Sequence, residues 1–102
     1  MGLSIDGKNI EQNIHFNWNC LDNFIKWCST KNIPLLFPDW DGTNANKIID
    51  LRNKKSQRKL KKKLYVVEKF ITNEIDYNLF ILIKYYIFLK NQLDNNGFIE
   101  YS

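Results

Sequence analysis

The segment from Arg52 to Lys63 concentrates positive charge in one short stretch of the chain. Eight of its twelve residues are basic and none is acidic. Because the whole chain carries a net charge of +4, the other 90 residues together carry −4. A dense cationic surface is suited to contacting phosphates, which gives affinity for nucleic acid without base specificity. The basic residues are Arg52, Lys54, Lys55, Arg58, Lys59, Lys61, Lys62 and Lys63.

On a helix, these basic residues would cover about half of the circumference. At about 100° per residue they form two adjoining stripes, and Leu60 and Leu64 fall on the opposite side. The six lysines and two arginines favour point-charge contacts with phosphates over bidentate reading of base edges. Tyr65 lies beside the stripes and is a candidate for stacking on bases. The stripes are Arg52, Lys55, Lys59 and Lys62, and beside them Lys54, Arg58 and Lys61.

Histidine and cysteine offer little for metal binding or nucleophilic catalysis. A metal site needs three or four ligands brought together, and the only candidates of these types are His15, Cys20 and Cys28. On one helix the two cysteines would stand ~12 Å apart, too far for a disulfide or a shared zinc ion. We therefore expect two free thiols. His15 has no evident nucleophile partner with a third orienting group, so no catalytic role is expected for it.

The two carboxylates of the segment from Asp39 to Thr43 suggest a cation site. An EF-hand loop beginning at Asp39 would need Gly where Asn44 stands and Glu where Asp50 stands. A turn followed by a helix cap explains the segment better. The pair would also suit magnesium in a nuclease, but no further acid visibly accompanies it. With four glycines and no Gly-Lys-Ser/Thr, the chain lacks a phosphate loop, and we expect neither a metal, a cofactor nor an enzymatic activity.

The first half of the chain is predicted to form a hairpin, a helix and a loop. Apolar residues alternate before Asp6-Gly7, which predicts a short hairpin within residues 1–16. Apolar residues at spacings of three and four then predict a helix over residues 17–32. Two prolines and an Asp-Gly pair predict a loop over residues 33–42.

A long basic helix is predicted over residues 43–74, with Asp41 or Thr43 as its cap. Its apolar stripe runs from Ile49 through Leu60 and Leu64 to Val67 and Ile71. An unbroken helix of this length would measure ~46 Å, against a radius of gyration of ~13 Å for a domain of about 100 residues. The helix therefore either breaks near residues 53–57 or projects from the domain.

A last helix is predicted over residues 76–94, with Asp76 or Asn78 as its cap. Its apolar residues surround almost the whole helix and leave a narrow polar edge at Lys84 and Asn91, which is typical of a central helix. The apolar segment 79–93 is also a candidate homodimer interface. The C-terminal residues are expected to pair with the N-terminal hairpin.

The resulting prediction is one small, mainly α domain spanning residues 1–102, with about three helices and a minor hairpin. The start has no apolar signal segment, and the longest apolar run is short of the ~20 residues of a membrane span. We therefore expect a cytoplasmic protein without a membrane partner. Abundant Ile, Lys and Asn, at 13, 13 and 14 residues, indicate a low-GC genome such as that of a bacterium, its phage or a large DNA virus.

Two functional hypotheses from different classes follow from the sequence. The first is a non-enzymatic protein that binds RNA, DNA or a nucleoprotein complex through the basic helix. The second is a small phage or mobile-element inhibitor or adaptor that acts by protein contact, for example an anti-CRISPR that blocks a host RNA-guided nuclease. This second hypothesis rests on size and composition. An acidic protein surface is a further partner for the basic residues, and a solvated helix face without a partner is the alternative to both hypotheses.

Overall fold

A computed structural model describes residues 2–8, 14–33, 47–71 and 76–101 of the chain. Of the predicted loop 33–42, the structure describes only Ile33, which is buried. The carboxylates Asp39 and Asp41 and the predicted cap Thr43 lie outside the described residues. In the described part, four strands and three helices follow one another along the chain. They are β1 (Gly2–Gly7), β2 (Ile14–Asn17), α1 (Trp18–Thr30), β3 (Lys47–Asp50), α2 (Lys54–Glu68), α3 (Tyr77–Asp94) and β4 (Phe98–Tyr101).

The four strands form one antiparallel sheet in the order β2-β1-β4-β3. The prediction of a mainly α domain is therefore wrong, and the fold is α+β. The strands are only four to six residues long, and two of the three pairings, β1 with β4 and β3 with β4, join strands far apart in sequence. A pattern read within a short window carries little information about such pairings.

Strand β1 pairs with β2 on one edge and with the C-terminal strand β4 on the other. The predicted hairpin turn at Asp6-Gly7 is not found there. Strand β1 continues through both residues, because Asp6 pairs with Glu100 and Gly7 with Ile99 of β4. Its other edge pairs with β2, with Ser4 opposite His15. The residues that join β1 to β2 lie outside the described part of the chain.

Strand β3 occupies part of the segment predicted to be a long helix. Residues 47–50 pair with β4, and Ile49 faces the core from the sheet and not from a helix. Helix α2 begins at Lys54, where the side chain of Asn53 accepts a hydrogen bond from the Lys55 backbone N–H at 2.8 Å. The prediction of a helix over 43–74 is thus wrong for residues 47–53, and α2 ends at Glu68. Two adjacent β-branched isoleucines suit a strand. The apolar pattern of this segment fits both a helix and a strand, and pairing with β4 selects the strand.

The core lies between the inner face of the sheet and the three helices. In β2 and β4 buried residues alternate with more exposed ones, and in β1 Leu3 and Ile5 are buried while Ser4 and Asp6 are partly exposed. Each helix adds one buried stripe, which confirms that Leu60 and Leu64 face the core. The side chain of Asp76 caps α3 by accepting from the backbone N–H groups of residues 78 and 79, as predicted for one of its two candidate caps.

A buried glutamine ties α3 to the end of β1. Gln92 is fully buried, and its Oε1 accepts from the Lys8 backbone N–H at 2.7 Å, while its Nε2 donates to the Lys8 carbonyl at 3.0 Å. The side-chain amide of Gln92 thus makes the two backbone hydrogen bonds to Lys8, just beyond the end of β1, that a neighbouring strand would otherwise make. Gly7 and Gly97 border this amide so closely that a Cβ at either would come within 3 Å of it.

Two buried tyrosines join α3 to β4, and their ionisation is expected to lower the stability of the fold at alkaline pH. The hydroxyls of Tyr85 and Tyr101 share a hydrogen bond of 2.9 Å. Burial raises the pKa of both phenols above the usual value of 10.0. On the surface, partial burial and the bond to Glu68 raise the pKa of Tyr86 to about 12.

We expect stability to hold up to about pH 10 and to fall above it. The folded state keeps phenolic protons that the unfolded chain releases from about pH 10 upward, so rising pH favours unfolding. Thermal melts and tyrosinate absorbance over this range measure the effect. The variant Tyr101→Phe should show a shallower decline, and a melting temperature that stays constant to about pH 12 would contradict the assignment.

Candidate nucleic-acid interface

Helix α2 presents its basic residues to solvent while its apolar stripe is buried. Leu60, Leu64 and Val67 lie against the core at 4% exposure or less. The opposite side of the helix carries six exposed basic side chains, here called the basic face. They are Lys54, Lys55, Arg58, Lys59, Lys61 and Lys62. The structure thus brings together six of the nine residues predicted for the interface and fixes them on one rigid element.

The basic face begins at the N-terminus of α2, where positive charge is least favourable. The first turn contains Lys54 and Lys55 and no acidic residue. The helix dipole already places a partial positive charge there, and basic residues three or four apart repel one another by a few tenths of a kcal/mol per pair. Both effects are relieved when an anion approaches this end of the helix.

Arg52 lies outside the helix, which corrects its predicted place in a helical stripe. It sits in the turn after β3 and forms a bidentate ion pair with Asp50, with N–O distances of 2.9 to 3.2 Å. The Arg52 guanidinium lowers the pKa of the Asp50 carboxyl from its usual value. Since Asp50 neutralises the charge of Arg52, we exclude this residue from the basic face.

Lys63 and Tyr65 lie on the two flanks of the basic face. Lys63 is half-buried next to the apolar stripe, so it contributes less to the exposed charge than predicted. Tyr65 is 65% exposed, and the Lys69 Nζ lies 4.9 Å from the centre of its ring. Stacking of a base on this exposed ring stays a prediction.

A groove between α2 and α3 adjoins the basic face and was not predicted. The helices run antiparallel, because Glu68 at the end of α2 accepts a hydrogen bond from the Tyr86 hydroxyl in the middle of α3, while Lys61 in the middle of α2 lines the same groove as Leu93 and Asp94 at the end of α3. The groove has a volume of about 280 Å³. Its lining consists of Lys61, Leu64, Tyr65 and Glu68 from α2, and Tyr86, Lys90, Leu93 and Asp94 from α3. The spacing of Tyr86, Lys90 and Asp94 at intervals of four was the available signal, but the apolar character of α3 concealed it.

The histidine and cysteines lie away from the basic face. The His15 Nδ1 is 2.9 Å from the Ser4 Oγ across the exposed face of the sheet, a contact that the sequence did not predict. Cys20 and Cys28 are free thiols, and burial raises the pKa of Cys28 to about 11. Within residues 2–8, 14–33, 47–71 and 76–101, no group of three potential metal ligands comes together.

Helix α3 exposes apolar side chains on the face opposite the core. Tyr77, Phe80 and Ile87 are each at least 60% exposed, and with Lys84 between them they follow helical spacing along one face. Helix α3 is therefore not covered all round by this chain, as a central helix would be. Across the described part of the chain, no helix is both long enough and apolar enough to span a lipid bilayer.

Searches with the whole chain give no independent indication of family or activity. No protein-family model, no curated protein and no solved structure matches this chain.

Proposed function

We propose that this protein binds nucleic acid, without enzymatic action, through phosphate contacts from the basic face. The observation that carries the proposal is six exposed basic side chains on one face of a helix whose other side is buried. A docked helix holds the backbone of these residues in a fixed arrangement, so no ordering of the backbone is needed when the partner binds. Lysine supplies point charges that suit phosphates of any sequence.

The arrangement of charge favours a polyanionic partner over a merely solvated surface. Within α2, Glu68 in the last turn is the one acidic residue beside seven basic ones. Like charges at helical spacing and a basic first turn both lower helix stability. A surface needed only for solubility would be more stable with its charges mixed in sign.

The test is binding of labelled single-stranded RNA, single-stranded DNA and duplex DNA by fluorescence anisotropy over a range of salt. Six phosphate contacts predict a log–log slope of about −5 for duplex DNA, or about a thousandfold loss of affinity between about 50 and 200 mM salt. Little dependence on base sequence is expected. No binding to any of the three at the lowest salt would overturn the proposal.

A second candidate function is protein contact through α3, as in an inhibitor or adaptor. The observation that favours it is the exposed row of Tyr77, Phe80 and Ile87, since exposed apolar side chains that cluster often mark interaction sites. A homodimer through this face is the simplest form, because a helix face can pair with its own copy about a twofold axis. An inhibitor of an RNA-guided nuclease would instead contact its target through the exposed apolar row of α3, through the basic face of α2, or through both.

We expect the chain to self-associate through α3, and Phe80→Glu with Ile87→Glu to make it monomeric. The added carboxylates would be buried without partners in the dimer, which is strongly unfavourable. Sedimentation over a range of protein concentrations measures the change. Lys55→Glu with Lys62→Glu serves as the control, because it introduces two acids on another face. A wild-type chain that remains monomeric throughout would contradict the homodimer.

A further inference from the structure

The groove between α2 and α3 is placed to receive a base from a strand whose phosphates lie on the basic face. Lys54, Arg58, Lys61 and Tyr65 follow one another at helical spacing, so this row of the helix leads from cations to an aromatic ring at the groove. Lys61 belongs both to this row of exposed cations and to the lining of the groove. A nucleic-acid strand whose phosphates contact the cations of this row therefore brings one of its bases to Tyr65.

The walls of the groove supply both stacking surface and hydrogen-bond acceptors. Tyr65 lines it as an exposed ring, and Leu64 and Leu93 add apolar contact. The Tyr86 hydroxyl bond to Glu68 fixes the second ring against α2, and the Lys90 Nζ lies 6.0 Å from that ring. An aromatic ring offers every base a stacking face, and a nearby cation adds attraction.

The two carboxylates in the groove are unsuited to phosphates and suited to base N–H groups. Glu68 and Asp94 line the groove together with Lys61 and Lys90, so the groove itself is neutral although it borders a strongly basic surface. A carboxylate is an acceptor with two oxygens. Of the four bases, guanine presents two adjacent N–H donors on its pairing edge, whereas uracil presents one N–H between two carbonyls.

We propose that this groove binds an unpaired guanine base, stacked on Tyr65 with its pairing edge toward the carboxylates of Glu68 and Asp94. The inference rests on the proposed function and deepens it, because it makes single-stranded nucleic acid the ligand of the basic face. A base within a duplex has its pairing edge occupied and its faces stacked, so it cannot enter the groove. The basic face alone would hold a duplex as well as a single strand.

The experiment compares three oligouridine strands that differ only at one central position, which is guanosine, uridine or an abasic sugar. All three carry the same number of phosphates. The guanosine strand should bind roughly 5- to 100-fold more tightly than the abasic strand, the range measured for stacking of one base on an aromatic side chain. The variant Tyr65→Ala should lose that difference, and Tyr65→Phe should keep it.

The matched control is Trp18→Ala, because Trp18 is also an exposed aromatic residue, at 51% against 65% for Tyr65, but lies at the start of α1, outside the groove and the exposed row of α3. It should leave all three affinities unchanged. Equal affinity for the guanosine and abasic strands would overturn the inference while leaving the phosphate contacts intact. Equal affinity for the guanosine and uridine strands would overturn the role of the carboxylates, and absence of binding by every strand would overturn the proposed function as well.

Discussion

Reversing three charges on the basic face, by Lys55→Glu, Arg58→Glu and Lys62→Glu, is expected to abolish binding of nucleic acid at physiological salt. The variant replaces three of the six exposed basic side chains of the basic face by carboxylates, which would repel phosphates. At each salt concentration where binding is still measurable, affinity should fall by about a hundredfold or more, and the log–log salt slope should become shallower by roughly three. Fluorescence anisotropy with the strands described above measures both quantities.

The matched control reverses three exposed lysines elsewhere, at Lys8, Lys31 and Lys84. The net charge changes equally, so a nonspecific effect of charge would weaken binding by the same amount in both variants. We expect the control to keep most of the affinity. The basic-face variant should also melt at the same temperature as the wild type or higher, because the reversals remove like-charge repulsion and place an acid in the first turn of α2. Equal loss of affinity in both variants would contradict the assignment of the basic face.

Replacing Gln92 with leucine is expected to cause the largest loss of stability among single polar substitutions in the described residues. The leucine has similar bulk but leaves the N–H and C=O of Lys8 without the partners that Gln92 supplies at 2.7 and 3.0 Å. Two lost hydrogen bonds with their backbone partners retained cost about 2–4 kcal/mol. The melting temperature should fall by roughly 10–25 °C, which circular dichroism or calorimetry measures.

A double-mutant cycle separates this hydrogen bonding from simple loss of packing. Gly97→Ala should also destabilise the fold, because the added Cβ would come within 2.1 Å of the Gln92 Oε1, and that oxygen cannot move away without breaking its bond to Lys8. In Gln92→Ala with Gly97→Ala the clash disappears, so the double variant should be less destabilised than the two single effects combined. Strict additivity, or a change of less than about 0.5 kcal/mol in Gln92→Leu, would show that the amide does not hold β1 in place.

Local patterns in the sequence were sufficient to predict the helical parts of this domain. Apolar spacing of three and four in α1, and the alternation of basic and apolar residues in α2, are repeated over several turns, so single exceptions do not obscure them. Caps are equally local, and Asp76 was identified because a cap bonds to backbone groups two or three residues away. Strand β3 was missed because the apolar pattern of its four residues fits both a helix and a strand. Pairing with β4, about 50 residues later in the chain, selects the strand.

The sequence by itself determined that positive charge would be concentrated on one side of a helix with Leu60 and Leu64 behind it, because charge density and helical periodicity belong to a continuous segment. Only the tertiary structure decided that Tyr65 borders a groove with Tyr86 and Lys90, and that α3 leaves one apolar face exposed. These features depend on which surfaces of distant segments pack together. Packing is set by the total burial of the core, and no single segment encodes it.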